Sequence, residues 1–190
     1  MSANNDNNKG DNNMDKLKEN RVHRLWNDIK RRCYDPSVNA YKSYGAKGVV
    51  VCDEWQEFAP FYEWYKDHYY SVGNERMCVD KDIMEVDNKV YGPDKCIIVP
   101  IKINNMLVGL NDGDKELPTG VRHMGSRYSV SISTPTGKAR TKYFGSYDTV
   151  EKASRVYKLC KTVEYLKLLK TYEGRLPSDL YNVLTMVDLF

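Results

Sequence analysis

The sequence predicts an α+β protein, because segments with helical spacing and segments with strand-like alternation occupy separate parts of the chain. Apolar residues recur at helical spacing after Asn20 and again after Thr149. Three consecutive strand-like runs lie directly before the second of these helices. The chain has 190 residues, 41% of them hydrophobic, which is enough for two compact units with buried cores.

Composition excludes several classes of protein. No apolar run approaches the roughly 20 residues that span a bilayer, and the N-terminus lacks a basic segment followed by an apolar one. We therefore expect a soluble protein that is not secreted. The five cysteines are scattered and never form a Cys-x-x-Cys pair, so we expect reduced, mostly buried thiols and no structural zinc.

The first helix is predicted to follow a polar N-terminal segment. Asn, Asp and Lys dominate residues 1–19, where we expect a flexible tail, and Asn20 is a suitable helix cap. The apolar face of the helix comprises Val22, Leu25, Trp26, Ile29 and Cys33. Basic residues, Arg24 and Arg31 among them, fill the remaining surface, which is either a solvated face or one that contacts phosphates.

A short strand and a second helix are predicted next. The run Val49–Val51 comes after two glycines and predicts a loop that leads into a buried strand. The following segment predicts a helix that tolerates Pro60 only in its first turn. The aromatic side of this helix comprises Phe58, Phe61, Tyr62 and Tyr65. Most of these rings are expected in the core, and stacking on nucleic-acid bases is the alternative.

The stretch MCVDKDIMEVDNKVYGPDKC predicts a β-hairpin. Val79 and Ile83 flank polar residues, a turn-rich EVDN segment follows, and Lys89–Tyr91 returns. Pro93 suits the first position of a short helical turn, after which residues 96–99 are expected to be buried. The hairpin is either a simple charged turn or a metal-binding element.

A second unit is predicted after a linker over residues 109–118, which is rich in Gly, Asp and Asn. Three strand-like runs, GVRHM, RYSVSIST and TKYFGSY, precede a long helix over residues 149–170 with Thr149 or Asp148 as its cap. The apolar stripe of this helix, which can cover one face of the sheet, comprises Ala153, Val156, Tyr157, Cys160, Val163 and Leu166 or Lys167. A short helix is expected after Pro177, packed back on the chain or against a partner.

The uncovered face of this sheet is predicted to be basic. Between Glu116 and Lys170 the chain has eleven Lys or Arg and four Asp or Glu. A three-stranded sheet backed by one helix is small enough to enter the DNA major groove. The residues expected to contact DNA are Arg122, Arg127, Ser129 and Ser131 at base edges, and Lys138, Arg140 and Lys142 at phosphates. An ordinary solvated face is the alternative.

Several of these segments resemble one family. GVRHMGSRYSVSIST and KYFGSYDTVEKASRVY, in strand-strand-strand-helix order, are similar to the ethylene-response-factor-type (AP-two) DNA-binding module at the C-termini of phage homing endonucleases. RLWNDIKRRCYDPSVNAYKSYGAKGVVVCDEW and the aromatic helix after it resemble the N-terminal half of phage-type HNH endonucleases. VDKDI and NKVYGPDKC resemble the hairpin and short helix of their ββα-metal site. The resemblance extends from about Arg21 to the C-terminus.

The resemblance implies an order of domains. Residues 20–108 would form an HNH-like nuclease region with a ββα-metal fold, and residues 119–172 an AP-two-like DNA-binding domain with a three-stranded antiparallel sheet on the long helix. Residues 173–190 would be a helical extension, through which a homodimer is expected. The implied location is the cytoplasm of a bacterial host that carries a phage or a mobile element.

The resemblance also implies metal-dependent nicking or cleavage of double-stranded DNA with Mg²⁺ or Mn²⁺. Asp80 occupies the position of a metal-binding carboxylate, and Asn88 that of the middle asparagine of the hairpin. Lys81 stands where the family often has its base histidine, and Lys95 where many members have a metal-binding asparagine. The predicted catalytic residues are Asp80, Lys81 and Asn88. The predicted metal ligands are Asp80, Asp82 and Asp94.

Lys81 and Lys95 are departures from the family pattern. An ammonium group with a pKa of about 10.4 is a poor general base at neutral pH and cannot ligate a cation. Two functions therefore stay open. One is an HNH-like endonuclease, and the other is a catalytically degenerate relative that acts as a sequence-specific DNA-binding protein or transcriptional repressor. A protein-interaction module that uses the open sheet is a third alternative.

Overall fold

The computed structural model describes residues 6–107, 116–135, 141–187 and 189, and it describes residues 6–15 by their backbone alone. The helices are α1 (Asp6–Tyr34), α2 (Phe58–His68), α3 (Ile101–Leu107), α4 (Val150–Lys170) and α5 (Ser178–Thr185). The strands are β1 (Val50–Val51), β2 (Met77–Asp80), β3 (Val90–Tyr91), β4 (Ile97–Pro100), β5 (Val121–Met124), β6 (Arg127–Ser133) and β7 (Thr141–Tyr147). This mixture of helix and sheet confirms the predicted α+β class.

The chain divides into two compact units. The first comprises residues 1–69 and 84–98, and the second comprises residues 70–83 and 99–190. The predicted nuclease region, residues 20–108, therefore contributes to both units. Most of the predicted linker lies in residues 108–115, outside the described residues.

Helix α1 belongs to the first unit and has the predicted apolar face. Val22, Ile29 and Cys33 are buried at helical spacing. The helix begins at Asp6, well before Asn20, so it includes residues 6–19 of the predicted tail. That segment has no apolar periodicity, which is why the sequence pattern gave no helix signal there.

An aromatic cluster forms the centre of the first unit. Trp55 and Phe61 are fully buried, and their ring centroids lie 5.0 Å apart in an edge-to-face arrangement. Trp64 packs 4.7 Å from Trp55 by the same measure. Pro60 lies in the first turn of α2, as predicted. Of the four rings predicted on the aromatic side of α2, Phe61 is buried, whereas Phe58, Tyr62 and Tyr65 are half-buried. Trp64 is the second buried ring of this helix, and the sequence pattern did not single it out.

Strands β1 and β3 also belong to the first unit, where they pair in parallel, with Val50 opposite Val90 and Val51 opposite Tyr91. The predicted hairpin between Val79 and Tyr91 is therefore wrong: β3 pairs with β1, whereas β2 lies in a sheet with β4. The reason is local, because the carboxylate of Asp80 binds the next turn and ends β2, and β4 offers a longer apolar partner strand.

The second unit has one apolar cluster built by helices from different parts of the chain. Ile103 of α3, Leu169 of α4 and Leu184 of α5 all belong to it and are at most 1% exposed. The hydroxyl of Tyr165 donates a buried hydrogen bond of 2.8 Å to the Leu184 carbonyl. The predicted helix after Pro177 is thus α5, and it packs back on the chain.

Strands β5, β6 and β7 form the predicted three-stranded antiparallel sheet, which packs on α4. Val130 and Ile132 of β6 are buried against Ala153 and Tyr157 of α4. The hydroxyl of Thr149 accepts a hydrogen bond from the Lys152 amide, so Thr149 is the helix cap. The strand-strand-strand-helix order and one of its two candidate caps are confirmed.

The apolar stripe of α4 differs from the prediction in its second half. Ala153 and Tyr157 face the sheet as expected, but Val163 and Leu166 are 40% and 50% exposed. Tyr165, Leu168 and Leu169 are buried in their place, in the cluster with α3 and α5. The helix therefore buries two different sides along its length, which a single periodic stripe could not predict.

Two further expectations concern the whole sequence. All five cysteines are free, and Cys33 and Cys96 are buried. Among the described residues, none of the helices combines the length and the apolar character that crossing a bilayer requires.

Candidate nucleic-acid interface

The register of the sheet places most of the predicted base-contacting residues on one face. Arg122 lies opposite Ser129, which in turn lies opposite Ser146 of β7. Met124 lies opposite Arg127, and Ser131 lies opposite Tyr143. Directly opposed residues point to the same side of a sheet, and this side alternates with the buried Val130 and Ile132. We call this set the open face: Arg122, Met124, Arg127, Ser129, Ser131, Tyr143 and Ser146.

Arg127 is held across two strands. Its Nε donates to the Ser146 hydroxyl at 3.1 Å, and its Nη2 donates to the Ser146 carbonyl at 2.7 Å. The guanidinium has five N–H donors, so these two bonds leave donors for a ligand. A side chain fixed in this way loses less conformational entropy when it binds, which favours specific contacts.

A β-bulge decides which residues of β7 reach the open face. The register between β6 and β7 shifts between Ser129 and Ser131. As a result, Tyr143 points outward and is 58% exposed, whereas Lys142 lies opposite the buried Ile132. Lys142 is turned toward the helix and donates to Glu164 of α4 at 2.9 Å.

Of the three residues predicted to contact phosphates in this region, only Lys142 lies within the described residues. Lys142 does not join the open face, and its hydrogen bond lowers the pKa of the Glu164 carboxyl below its ordinary value. Lys138 and Arg140 lie outside the described residues. Of the basic residues predicted on α1, Arg24 is exposed, and Arg31 is exposed but forms an ion pair of 3.3 Å with Asp35.

Sequence reasoning missed three members of the open face: Met124, Tyr143 and Ser146. Met124 and Tyr143 are large apolar side chains, 49% and 58% exposed, that lie on the same side of the sheet as two arginines and three serines. Alternation along β5 could have found Met124, because it is two residues from Arg122. Tyr143 and Ser146 were not predictable by alternation, since the bulge separates them by an odd number of positions.

Asp80, the first of the predicted nuclease residues, lies at the end of β2 and is 8% exposed. Its Oδ1 accepts hydrogen bonds of 2.8 Å from the amides of both Asp82 and Ile83. Burial raises the pKa of the Asp80 carboxyl above its ordinary value, and the Ile83 and Asp82 amides partly oppose this shift. One oxygen therefore has a clear structural role, as the acceptor that closes the turn.

The other predicted nuclease residues also have partners within their own segments. The ammonium of Lys81 is buried and forms an ion pair with Asp82. Both polar atoms of the Asn88 amide bond to the backbone of Val90, at 2.9 and 3.0 Å. Lys95 forms an ion pair of 2.7 Å with Glu85, which raises the pKa of Lys95.

A metal ion would need several of these oxygens to converge. Asp80 and Asp82 are acceptable ligands for Mg²⁺ or Mn²⁺ by chemistry, and Asp94 is exposed. Within the described part of the chain, however, no three His, Cys, Asp or Glu side chains are grouped as a metal site would require.

Comparison with known proteins gives no match for this chain. No protein-family model, no curated protein and no solved structure matches this sequence or its fold. The geometry and chemistry of its own residues are therefore what indicate the function of this protein.

Proposed function

We propose that this protein binds duplex DNA in a sequence-dependent manner through the open face of its three-stranded sheet. The observation that carries the proposal is the strand register, which puts Arg122, Arg127, Ser129 and Ser131 side by side on an uncovered face. Arginine forms bidentate hydrogen bonds with guanine in the major groove, and serine serves either base type. The major groove, about 12 Å wide, admits an element of this size.

The chemistry of the open face also supports DNA over a protein ligand. The described part of this face has two arginines and no carboxylate, and it lies in a segment with eleven basic and four acidic residues. Tyr143 and Met124 add apolar surface that suits contact with thymine methyl groups or deoxyribose. Phosphates would add a salt-dependent attraction to the same module.

The test is selection of a preferred duplex from a random pool, followed by titration of the selected site. We expect a preferred sequence for the wild type. Arg122→Ala and Arg127→Ala should each weaken binding to that site by about 1–3 kcal/mol and relax the preference at particular positions. Arg155→Ala removes one exposed positive charge from α4 and is the matched control, with little effect expected. Equal losses in all three variants would refute base contact by the sheet.

Metal-dependent nicking or cleavage of DNA by an HNH-like mechanism is the second candidate, which we propose on one observation. Asp80 is a buried carboxylate at the end of β2, and Asp82 follows two residues later. Strand β2 pairs with β4, and α3 comes directly after β4. A Mg²⁺ or Mn²⁺ ion, if bound here, would stabilise charge on the leaving oxygen of the phosphodiester. Asp80 and Asp82 would hold it, and Lys81 would orient the phosphate.

A plasmid assay separates the two candidates. Supercoiled plasmid that contains the selected site is incubated with Mg²⁺ or Mn²⁺ and with wild type or Asp80→Asn, a variant that keeps the Oδ1 acceptor. The nuclease proposal expects nicking by the wild type and none by the variant. Absence of nicking by both proteins, with DNA binding intact, would leave a sequence-specific DNA-binding protein of the repressor type.

A further inference from the structure

Helix α4 has a row of apolar side chains that no other described element covers. Leu159, Val163 and Leu166 are 66%, 40% and 50% exposed. They follow one another at intervals of four and three residues, which places them along one side of the helix. Isolated exposed apolar residues are ordinary, whereas contiguous exposed apolar side chains are often sites of interaction.

Basic residues surround the row. The exposed charged residues of α4 are five basic and one acidic, namely Lys152, Arg155, Lys158, Lys167, Lys170 and Glu151. Among the described residues, Lys152 pairs with Asp148, and Lys167 pairs with Glu164. We call the apolar row and these basic residues the outer face of α4. Its chemistry is apolar at the centre and cationic at the edges.

The outer face lies on the side of α4 away from the sheet. Ala153 and Tyr157 face the sheet and are buried with Val130 and Ile132, whose neighbours in β6 point to the open face. The helix thus separates its own outer face from the open face of the sheet. A duplex bound at the open face would leave Leu159 and Leu166 uncovered, so DNA binding does not explain them.

We propose that the outer face of α4 binds an acidic amphipathic helix of a partner protein. Leu159, Val163 and Leu166 are four and three residues apart, the spacing at which apolar side chains of one helix pack between those of a second helix in a coiled coil. A second copy of α4 would bring like charges together, because the exposed charged residues of this helix are five basic and one acidic. A helix with apolar residues at its centre and Glu or Asp at its edges satisfies both features of the surface. Only the simultaneous binding of partner and DNA depends on the function proposed above.

The experiment uses the full chain and two synthetic three-heptad peptides with Leu at positions a and d. One peptide has Glu at positions e and g, and the other has Lys there. We expect the acidic peptide to bind with measurable affinity and the basic peptide not to bind. The double substitution Leu159→Gln with Leu166→Gln should weaken binding of the acidic peptide about tenfold or more. Arg155→Gln should weaken it less and should reduce its dependence on salt.

Val183→Gln, at a 41% exposed position on α5, is the matched control and should leave peptide binding unchanged. Melting curves confirm that each variant is folded. Equal binding of the two peptides, or no effect of the double substitution, would overturn the proposal. If the protein forms a concentration-dependent dimer that the double substitution abolishes, the partner is a second copy of the chain and the proposal is wrong. If the protein binds phosphatidylserine vesicles and the double substitution weakens that binding, the partner is a membrane surface and the proposal is likewise wrong. DNA binding is measured in parallel, and its loss in the double variant would count against separate surfaces.

Discussion

Asp80 shows how a residue predicted for catalysis can first serve the fold. Its Oδ1 accepts two backbone hydrogen bonds, and its burial disfavours the charged form of the carboxyl. If the nuclease proposal is correct, the same carboxylate would also bind a metal ion. Stability measurements on two substitutions separate these roles.

We expect Asp80→Ala to destabilise the protein by about 1–2 kcal/mol, because the Asp82 and Ile83 amides lose their acceptor. Asp80→Asn keeps an oxygen at the same place and should cost less than about 0.5 kcal/mol. Urea unfolding of the three proteins measures both values. Equal destabilisation by Ala and Asn would mean that the negative charge, and not the acceptor, is what the turn requires.

The open face shows which residues sequence alternation can place. Arg127, Ser129 and Ser131 were predictable, because they alternate in β6 with the buried Val130 and Ile132. Arg122 was predictable in the same way, because it follows the buried Val121 in β5. Lys142 and Tyr143 were not, since one extra residue in a bulge exchanges the two faces beyond it. A bulge has no sequence signal as strong as the alternation that it interrupts.

Gly120 fixes the entry of the chain into the sheet. It has φ +79°, a region that favours glycine, and a Cβ at this position would collide with the ring of Tyr157. Its carbonyl also accepts a hydrogen bond from the Ser131 amide. The close approach of β5 to α4 therefore requires a residue without a side chain.

We expect Gly120→Ala to cost about 2–4 kcal/mol, from backbone strain together with the clash against Tyr157. Gly125→Ala is the matched control, because Gly125 also has a positive φ, +62°, but no atom lies within 4 Å of its added Cβ. That control should cost only about 1–2 kcal/mol. Thermal unfolding gives both values, and equal costs would contradict the close contact between the turn and Tyr157.

Lys161 is a buried cation on α4, between Tyr157 and Tyr165 on the same side of the helix. Burial lowers the pKa of its ammonium group below the ordinary value. The folded state thus binds a proton less readily than the unfolded state does. The buried charge therefore lowers the free energy of unfolding by its full amount at pH values below the pKa of Lys161 in the folded state. This cost decreases as the pH rises toward 10.5, the pKa of the lysine in the unfolded state.

Lys161→Met should therefore stabilise the protein at pH 7, by about 1–2 kcal/mol, because Met fills a similar volume without a charge. The advantage of the variant should shrink as the pH approaches 10.5. Unfolding in urea at several pH values, with both proteins in parallel, measures the difference. An advantage that stays constant with pH would show that packing, and not charge, causes it.

At the scale of the whole chain, the second unit joins segments that are far apart in the sequence. Ile103, Leu169 and Leu184 share one core, although α3, α4 and α5 are separate elements. Sequence patterns predicted these elements one by one but not their common cluster, because periodicity reports which face of a helix is apolar and not what covers it. The same limit explains the wrong hairpin, since β2 and β3 have the expected strand character but different partners.

We expect Leu184→Ala to destabilise this unit by about 2–4 kcal/mol, because Leu184 is fully buried. Hydrogen exchange should accelerate in α3 and α4 as well as in α5, since all three pack in one cluster. Val183→Ala, one residue away and 41% exposed, should change stability by less than about 0.5 kcal/mol. Acceleration confined to α5 would contradict a shared core.

Amide NMR spectra of the full chain, recorded during titration with the selected duplex, show which residues contact DNA. If the sheet binds DNA through its open face, the signals of Arg122, Arg127, Ser129, Ser131 and Tyr143 shift, while those of Leu159 and Val163 on the outer face of α4 do not. The same titration with Arg122→Ala plus Arg127→Ala should need a much higher DNA concentration for any shift. Shifts concentrated on α4 or α1, with the open face unchanged, would contradict DNA binding by the sheet.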